Sequence, residues 1–222
     1  MARKWFFDPL IPHAYDVINI DPPTYFKNFS AFESAKGAQY PTMDDSWIAS
    51  LPINDLSKND CLLFMWSTMP KLDKSIEWME GWGFKYKTAG PWIKKTKNGK
   101  QSWGTGYVLR SLAEIFLIGT RGKPRYQEVL MANGQTRPNA QPGLIETEID
   151  DQDLDLRLHL TGHQFVEAEN RGHSRKPDIQ YELIEALMEP GLRCCELFAR
   201  QTRPGWEAWG NQVDHFEPVE NS

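Results

Sequence analysis

The stretch Asp16-Val17-Ile18-Asn19-Ile20-Asp21-Pro22-Pro23-Thr24-Tyr25-Phe26 decides how this chain is read. Its first five residues are a short, β-branched run, the pattern of a buried strand. Two consecutive prolines cannot extend that strand, because neither has a backbone N–H to donate. The chain must therefore leave the sheet at Asp21. With φ fixed at both prolines, the carboxylate and the carbonyls behind it are held stiffly at the strand's carboxyl end, the edge at which α/β folds bind ligands. Stiff acceptors beside aromatic rings suit the exocyclic amino group of a nucleobase. In isolation the same tripeptide is also an ordinary strand exit.

Working outward, strand-like runs recur at Asp16–Ile20, Cys61–Trp66, Phe84–Ile93, Ala113–Gly119 and Arg193–Phe198. Helix-like stretches lie between several of them. Pro70–Gly81 sets Leu72, Ile76 and Met79 on one face, with Gly81 suited to its end. Pro177–Met188 sets Ile179, Leu183 and Leu187 at fourfold spacing, starts on Pro177-Asp178 and stops at Pro190-Gly191. Alternating strands and helices predict an α/β fold, a mostly parallel sheet with helices on both faces. Two stretches do not read as core: Lys27–Ser46, polar and glycine-containing, and Met131–Gly172, long and weakly periodic. Within the second, Leu154–Leu160 alternates strictly and predicts a hairpin or edge strand.

The 222 residues support one good-sized core, so one domain over 1–222 is expected, with 131–172 as an insertion or target-recognition loop. No apolar run approaches a membrane span, and Met1–Trp5 has no stretch like a secretory signal. The cysteines Cys61, Cys194 and Cys195 lack metal-ligand spacing, which predicts a reducing compartment and no metal. Net charge is −5, and the acids cluster: Glu146, Glu148, Asp150, Asp151, Asp153 and Asp155 run without a basic residue. Outside that run the charges nearly balance, with basic clusters at Lys94–Lys100 and Arg121–Arg125. Such clusters meet phosphates or are solvated loops. The nine tryptophans serve the core or stack on bases.

Near the C-terminus, Glu196-Leu197-Phe198-Ala199-Arg200 ends a buried run in an acid and then a base. An acid at such a strand end takes ribose hydroxyls in nucleotide-type units, or forms a salt bridge with its neighbour. Asn211-Gln212, after Gly205–Gly210, offers adjacent amides or a turn. Ser174-Arg175-Lys176-Pro177 places hydroxyl and cationic groups before a helix start, for an anion or for capping. There is no glycine-rich phosphate loop, no His-Glu-x-x-His and no nucleophile elbow.

In order along the chain, Asp21–Thr24, Gly106–Arg110 with Glu114, Ser174–Asp178, Glu196–Arg200 and Gly205–Gln212 resemble the methyltransferase-A-seventy family, the Asp-Pro-Pro-Trp type of adenine-N6 methyltransferase. The likeness spans roughly Lys4 to Val213. It implies a Rossmann-like S-adenosylmethionine-dependent fold in permuted order, the catalytic motif preceding the cofactor motif. It places Asp21, Pro22, Pro23, Thr24 and Tyr25 in the catalytic motif, with Asp21 and the Pro22 carbonyl accepting from the adenine amino group. It places Lys176, Glu196, Arg200, Asn211, Gln212 and, more loosely, Asp8 at S-adenosyl-L-methionine. Phe26, Lys94, Lys95, Arg110, Glu114 and Ser174 are expected at the substrate.

The fourth residue of the motif is Thr24, where the family usually has an aromatic ring. The compact stand-alone chain leads us to expect DNA ahead of RNA as the nucleic-acid partner and the cytoplasm of a bacterial or phage-infected cell; a homodimer and a heterodimer are both open, since the sequence does not report the oligomeric state. The alternatives are an RNA adenine methyltransferase and a catalytically silent, nucleic-acid-binding partner subunit. Thr24 keeps the last of these open.

Overall fold

A computed structural model describes residues 5–24, 41–104, 108–130, 136–138, 166–171 and 175–220. Its centre is β1 (Tyr15–Ile20), buried along its whole length. Around it lie β2 (Ser57–Ser67), β3 (Lys85–Lys95), β4 (Ala113–Arg121), β7 (Val166–Glu169), β8 (Cys194–Leu197) and β9 (Trp206–Trp209). They form a seven-stranded sheet in the order β7-β3-β4-β2-β1-β8-β9. A separate two-stranded ribbon pairs β5 (Glu128–Leu130) with β6 (Thr136–Pro138). Within the large sheet only β4 runs against the others: it is antiparallel to both β2 and β3, while the remaining neighbours are parallel. The expected mostly parallel sheet is present, with this one reversal in its interior.

The side-chain period of two splits the central strands between two cores. Ile18, Ile20, Leu63, Met65, Leu117 and Leu197 face one side, against α1 (Asp45–Ala49), α2 (Leu72–Gly81) and the N-terminal Phe7 and Leu10. Val17, Leu62, Phe64, Trp66, Trp92 and Phe116 face the other, against α3 (Ile179–Leu187). Helices thus cover both faces, which is why β1 and β2 read as nearly unbroken apolar runs. Five tryptophans (Trp66, Trp78, Trp82, Trp92 and Trp206) are buried.

The predicted elements differ in detail. Positions 69–71 form a 3-10 turn before α2 rather than its first turn. The left-handed residue closing α2 is Gly83 (φ 84°), not Gly81, which is the last helical residue. The most buried side chains of α3 are Gln180, Tyr181, Leu183 and Ile184, so its buried face is rotated from the Ile179/Leu183/Leu187 stripe. The stretch 131–172 contains β6 and the edge strand β7. Leu154–Leu160 lies outside the described residues.

The chain passes from β1 to β2 on one side and later returns on the other side of β1 to form β8 and β9. The order therefore reverses between β1 and β8. A crevice at the carboxyl ends of parallel strands forms at such a switch point.

Candidate functional site

Three strand exits build the site. After β1 the Pro22 carbonyl accepts the Thr24 N–H at 2.8 Å, a tight three-residue turn, and the Pro23 carbonyl accepts the Met43 N–H at 2.8 Å. Thr24 and Met43 form an isolated parallel bridge, which ties the proline exit to the segment entering α1. After β8, Phe198 sits at φ 60°, a left-handed conformation uncommon for a side chain of its size. Ala199 N–H then bonds the Trp209 carbonyl at 3.0 Å. After β9, a Cβ on Gly210 would lie 2.9 Å from the Ala199 carbonyl oxygen, so only glycine lets the two exits approach this closely.

These exits enclose a cavity of ≈ 310 Å³. One wall is apolar: Met43, Trp47, Phe198 and Trp209, with Pro23 and Pro41. Trp209 packs edge-on against Phe198 (5.4 Å) and against Phe7 (4.9 Å), so the wall is braced from behind. The polar lining is Asp21, Arg200, Asn211 and Gln212. Aromatic surface, two amides, a cation and a carboxylate around one space suit a ligand that is part ring, part hydroxyl and part charge.

On the other side of Asp21 lies a chain of alternating charge. Asp21 accepts from Lys176 Nζ at 2.8 Å, and the same ammonium lies 3.1 Å from Glu114. Glu114 in turn pairs with Lys94. Lys176 and Lys94 rest 5.4 Å and 5.0 Å from the rings of Trp66 and Trp92. Burial opposes ionisation of Glu114, but Lys176 and Lys94 outweigh it and hold its carboxyl down at about 2. Burial raises Asp21, Lys176 pulls it back, and Glu114 adds to the rise. Lys176 thus positions Asp21 and offsets two carboxylates at once.

Glu196 is opposite Asn19 in the β1–β8 register, but its side chain turns toward α3. Tyr181 donates to its Oε2 at 2.7 Å. Burial pushes the carboxyl up to about 7, with the Asp21 charge adding, while the Tyr181 hydrogen bond and Arg203 oppose the rise. Beside it Gln180 Oε1 accepts from Asn19 (3.2 Å) and from Trp66 Nε1 (2.5 Å). Tyr181 also carries the Arg203 guanidinium over its ring at 4.0 Å.

The structure brings together Asp21, Lys176, Glu114 and Lys94 on one side, and Asp21, Arg200, Asn211 and Gln212 on the other. Arg200 lies 4.7 Å from the Phe216 ring, which Arg175 also approaches at 4.5 Å. Lys95 points elsewhere and pairs with Glu167 on the edge strand at 3.0 Å. Asp8 is exposed in the N-terminal turn and is not part of the cavity lining. Arg110 is exposed beside Trp103. Tyr25, Phe26 and Ser174 lie outside the described residues.

Sequence reasoning missed Gln180, Tyr181, Met43, Trp47 and Phe198. The first two are polar positions off the apolar stripe of α3, Met43 and Trp47 are core-type residues with no motif around them, and Phe198 lies within the Glu196–Arg200 segment but was read only as the end of a buried run. Among the described residues, no group of three or more His, Cys, Asp or Glu is arranged to hold a metal ion, and no helix is long and apolar enough to cross a membrane.

The mixed sheet and the cavity at its switch point define an α/β protein with a site for a partly aromatic, partly polar ligand. The MT-A70 family profile matches residues 15–212, and the chain belongs to that family. The family's cofactor is S-adenosylmethionine, and the lining described above fits it. The chain is 30% identical over 185 residues to Type II methyltransferase M.MunI of Mycoplasma sp, covering 82% of this chain and 63% of that protein. It is 26% identical over 211 residues to the mouse N(6)-adenine-specific methyltransferase METTL4, covering 93% and 39%. It is 27% identical over 204 residues to the N(6)-adenosine-methyltransferase MT-A70-like protein of Arabidopsis thaliana, covering 90% and 24%.

The chain thus spans less than two thirds of each of these relatives. They overturn the expectation of DNA ahead of RNA. Where the relatives' names carry a nucleoside it is adenosine, and that of MTA1 from Pyricularia oryzae carries RNA. Compactness of a chain does not report its substrate.

Proposed function

We infer that this chain is an S-adenosylmethionine-dependent methyltransferase acting on the N6 amino group of adenine in RNA. The observation that carries the reading is the shared cavity, in which the proline-stiffened Asp21 faces Arg200, Asn211 and Gln212 from the distant C-terminal third. The names of the adenosine-directed relatives support RNA as the substrate. The motif on β1 preceding the cofactor-side residues of β8 and β9 agrees with a permuted order.

S-adenosylmethionine supplies an electrophilic methyl group when bound. Asn211 and Gln212 would hold its hydroxyl or adenine edge and Arg200 its ribose region, against the Phe198 and Trp209 rings, whereas Glu196, expected at the ribose, is turned to Tyr181 on the α3 side and does not line this cavity. An adenine amino nitrogen is a poor nucleophile, because its lone pair is drawn into the ring. Asp21 and the Pro22 carbonyl would accept from its two N–H groups and draw the nitrogen toward tetrahedral geometry. Among the described residues Asp21 Oδ1 accepts no hydrogen bond, and the Pro22 carbonyl has a second lone pair beside the one used by Thr24. The nitrogen becomes acidic only as it gains the methyl, and its proton then leaves toward Asp21. Most of the rate gain is orientation and electrostatics. A paired adenine must first leave its stack.

The test is transfer of tritiated methyl to single-stranded and duplex RNA, with digestion to nucleosides. Label in N6-methyladenosine supports the reading; no incorporation at saturating cofactor sinks it. Thr24 favours a second reading, a silent subunit. That reading requires that calorimetry find no cofactor binding, which the retained cavity lining argues against.

A further inference from the structure

The β3–β4 connection, residues 96–112, is not used by the chemistry above. From Lys94 to Ala113 the chain has five basic residues (Lys94, Lys95, Lys97, Lys100 and Arg110) and no acid. Lys94 and Lys95 are paired at the root of the connection. Lys97, Lys100 and Arg110 are exposed, and no carboxylate among the described residues pairs with them.

Trp103 is 51% exposed, and Val108 and Leu109 are 95% and 81% exposed. The Trp103 backbone is nonetheless pinned on both sides: Ser102 N–H bonds the Lys94 carbonyl at 2.8 Å, and Gly104 N–H bonds the Ser111 carbonyl at 2.6 Å. Arg110 lies 5.8 Å from the Trp103 ring. Because β3 runs parallel to β1, the connection springs from the same sheet edge as Asp21. The chain Asp21–Lys176–Glu114–Lys94 links the two.

We propose that residues 96–104 and 108–112 of this connection form a docking arm for a single-stranded RNA segment flanking the target adenine. Lys97, Lys100 and Arg110 meet phosphates and Trp103 stacks on a base. Exposed cations with no acid to balance them complement a polyanion, and a pinned, half-exposed tryptophan beside them is the pairing that sequence-tolerant single-strand binders use. The inference rests on the RNA reading above. The arm adds what the cavity lacks, a grip on the strand outside the reacting nucleotide.

The experiment uses the full chain and a fluorescein-labelled single-stranded RNA of about 15 nucleotides containing adenines, read by anisotropy across a salt series. The triple variant Lys97→Ala/Lys100→Ala/Arg110→Ala should lower the slope of log affinity against log salt by about 2, at roughly 0.7 for each phosphate left without its cation. Trp103→Ala should weaken binding about tenfold with the slope unchanged. Cofactor affinity, by calorimetry, should not move in either. Unaltered RNA affinity and slope in both variants, with the parent binding RNA and transferring methyl, overturns the arm and leaves the proposed function standing. Failure of the parent to bind RNA overturns both. A change of sedimentation state in the variants with RNA binding intact shows a protein interface instead, and overturns the arm.

Discussion

Two aspartates bracket β1, five residues apart, and the sheet treats them in opposite ways. Asp16 at the start accepts from Lys58 (2.6 Å), Arg125 (3.3 Å) and the Arg193 N–H (3.0 Å), and its side chain is 8% exposed. Burial alone would raise its pKa, but these donors outweigh it and hold the carboxyl below the usual range. Asp21 at the end has Lys176 on one oxygen, keeps 28% of its side chain open, and is raised by burial. A carboxylate whose oxygens are all engaged is a structural tie. One with an oxygen that no described residue engages, at a cavity wall, has capacity for a ligand. The difference lies in what each end of a parallel strand meets: neighbouring loops at the amino edge, diverging exits at the carboxyl edge.

The comparison breaks most directly under paired substitutions. Asp21→Asn should cut kcat for methyl transfer by about 10²–10³-fold, the usual cost of one preorganised polar partner, while cofactor affinity stays within a few-fold. Asp16→Asn should leave kcat within about twofold and instead lower stability by about 1 kcal/mol, because Lys58 and Arg125 lose their common partner but are exposed enough to regain water. Urea unfolding and the tritium assay on both proteins read the contrast. Equal kinetic effects at the two positions would refute the division of roles.

Lys176 is the next test, since it lies between Asp21 and Glu114. Lys176→Met leaves two half-buried carboxylates facing each other, and should cost about 3 kcal/mol of stability as well as most of the activity. Adding Glu114→Gln should return part of that stability and none of the activity, giving a favourable coupling in a double-mutant cycle. Additive losses would mean that the charge chain is not one unit.

The tie at Asp16 could not be read from sequence, because its partners come from positions 58, 125 and 193, and only the fold brings them together. The exit at Asp21 was legible, because two prolines after a β-branched run leave the chain a single course. Asn211 and Gln212 were legible only in order with the other segments; the structure adds Gly210, which packs on Ala199. Tyr181 and Gln180 escaped because a hydropathy stripe counts polar residues as outward. Here they sit at the centre of the buried face of α3, satisfied by Glu196, Asn19 and Trp66. The antiparallel β4 escaped too, since strand direction leaves no mark on an apolar run that is buried on both faces.

Glu196 gives a smaller, pH-dependent effect. Its carboxyl is raised from 4.5 to about 7 in the folded protein, so the folded state holds a proton that the unfolded state has lost. The stability from this group is fully present below about 4.5 and is lost as pH rises through about 7. Stability in urea should therefore fall between about pH 5 and 8. Glu196→Gln should flatten that profile. Tyr181→Phe removes a hydrogen bond that favours the charged form and should move the midpoint upward. A Tyr181→Phe profile superimposable on the parent's would show that this tyrosine does not set the carboxyl.

The smallest effect belongs to Lys58, and it sharpens what compensation at Asp16 means. Lys58 is 41% exposed, so solvent already screens its attraction to Asp16. Lys58→Ala leaves the Arg125 and Arg193 donors in place, and should cost at most about 1 kcal/mol, shrinking further in 0.5 M salt. The same kind of change at Lys176, which is 12% exposed and shared by two carboxylates, should cost several times more. If the two lysines prove equally costly in urea unfolding, burial does not separate the ends of β1, and the open oxygen of Asp21 loses its physical basis as a ligand site.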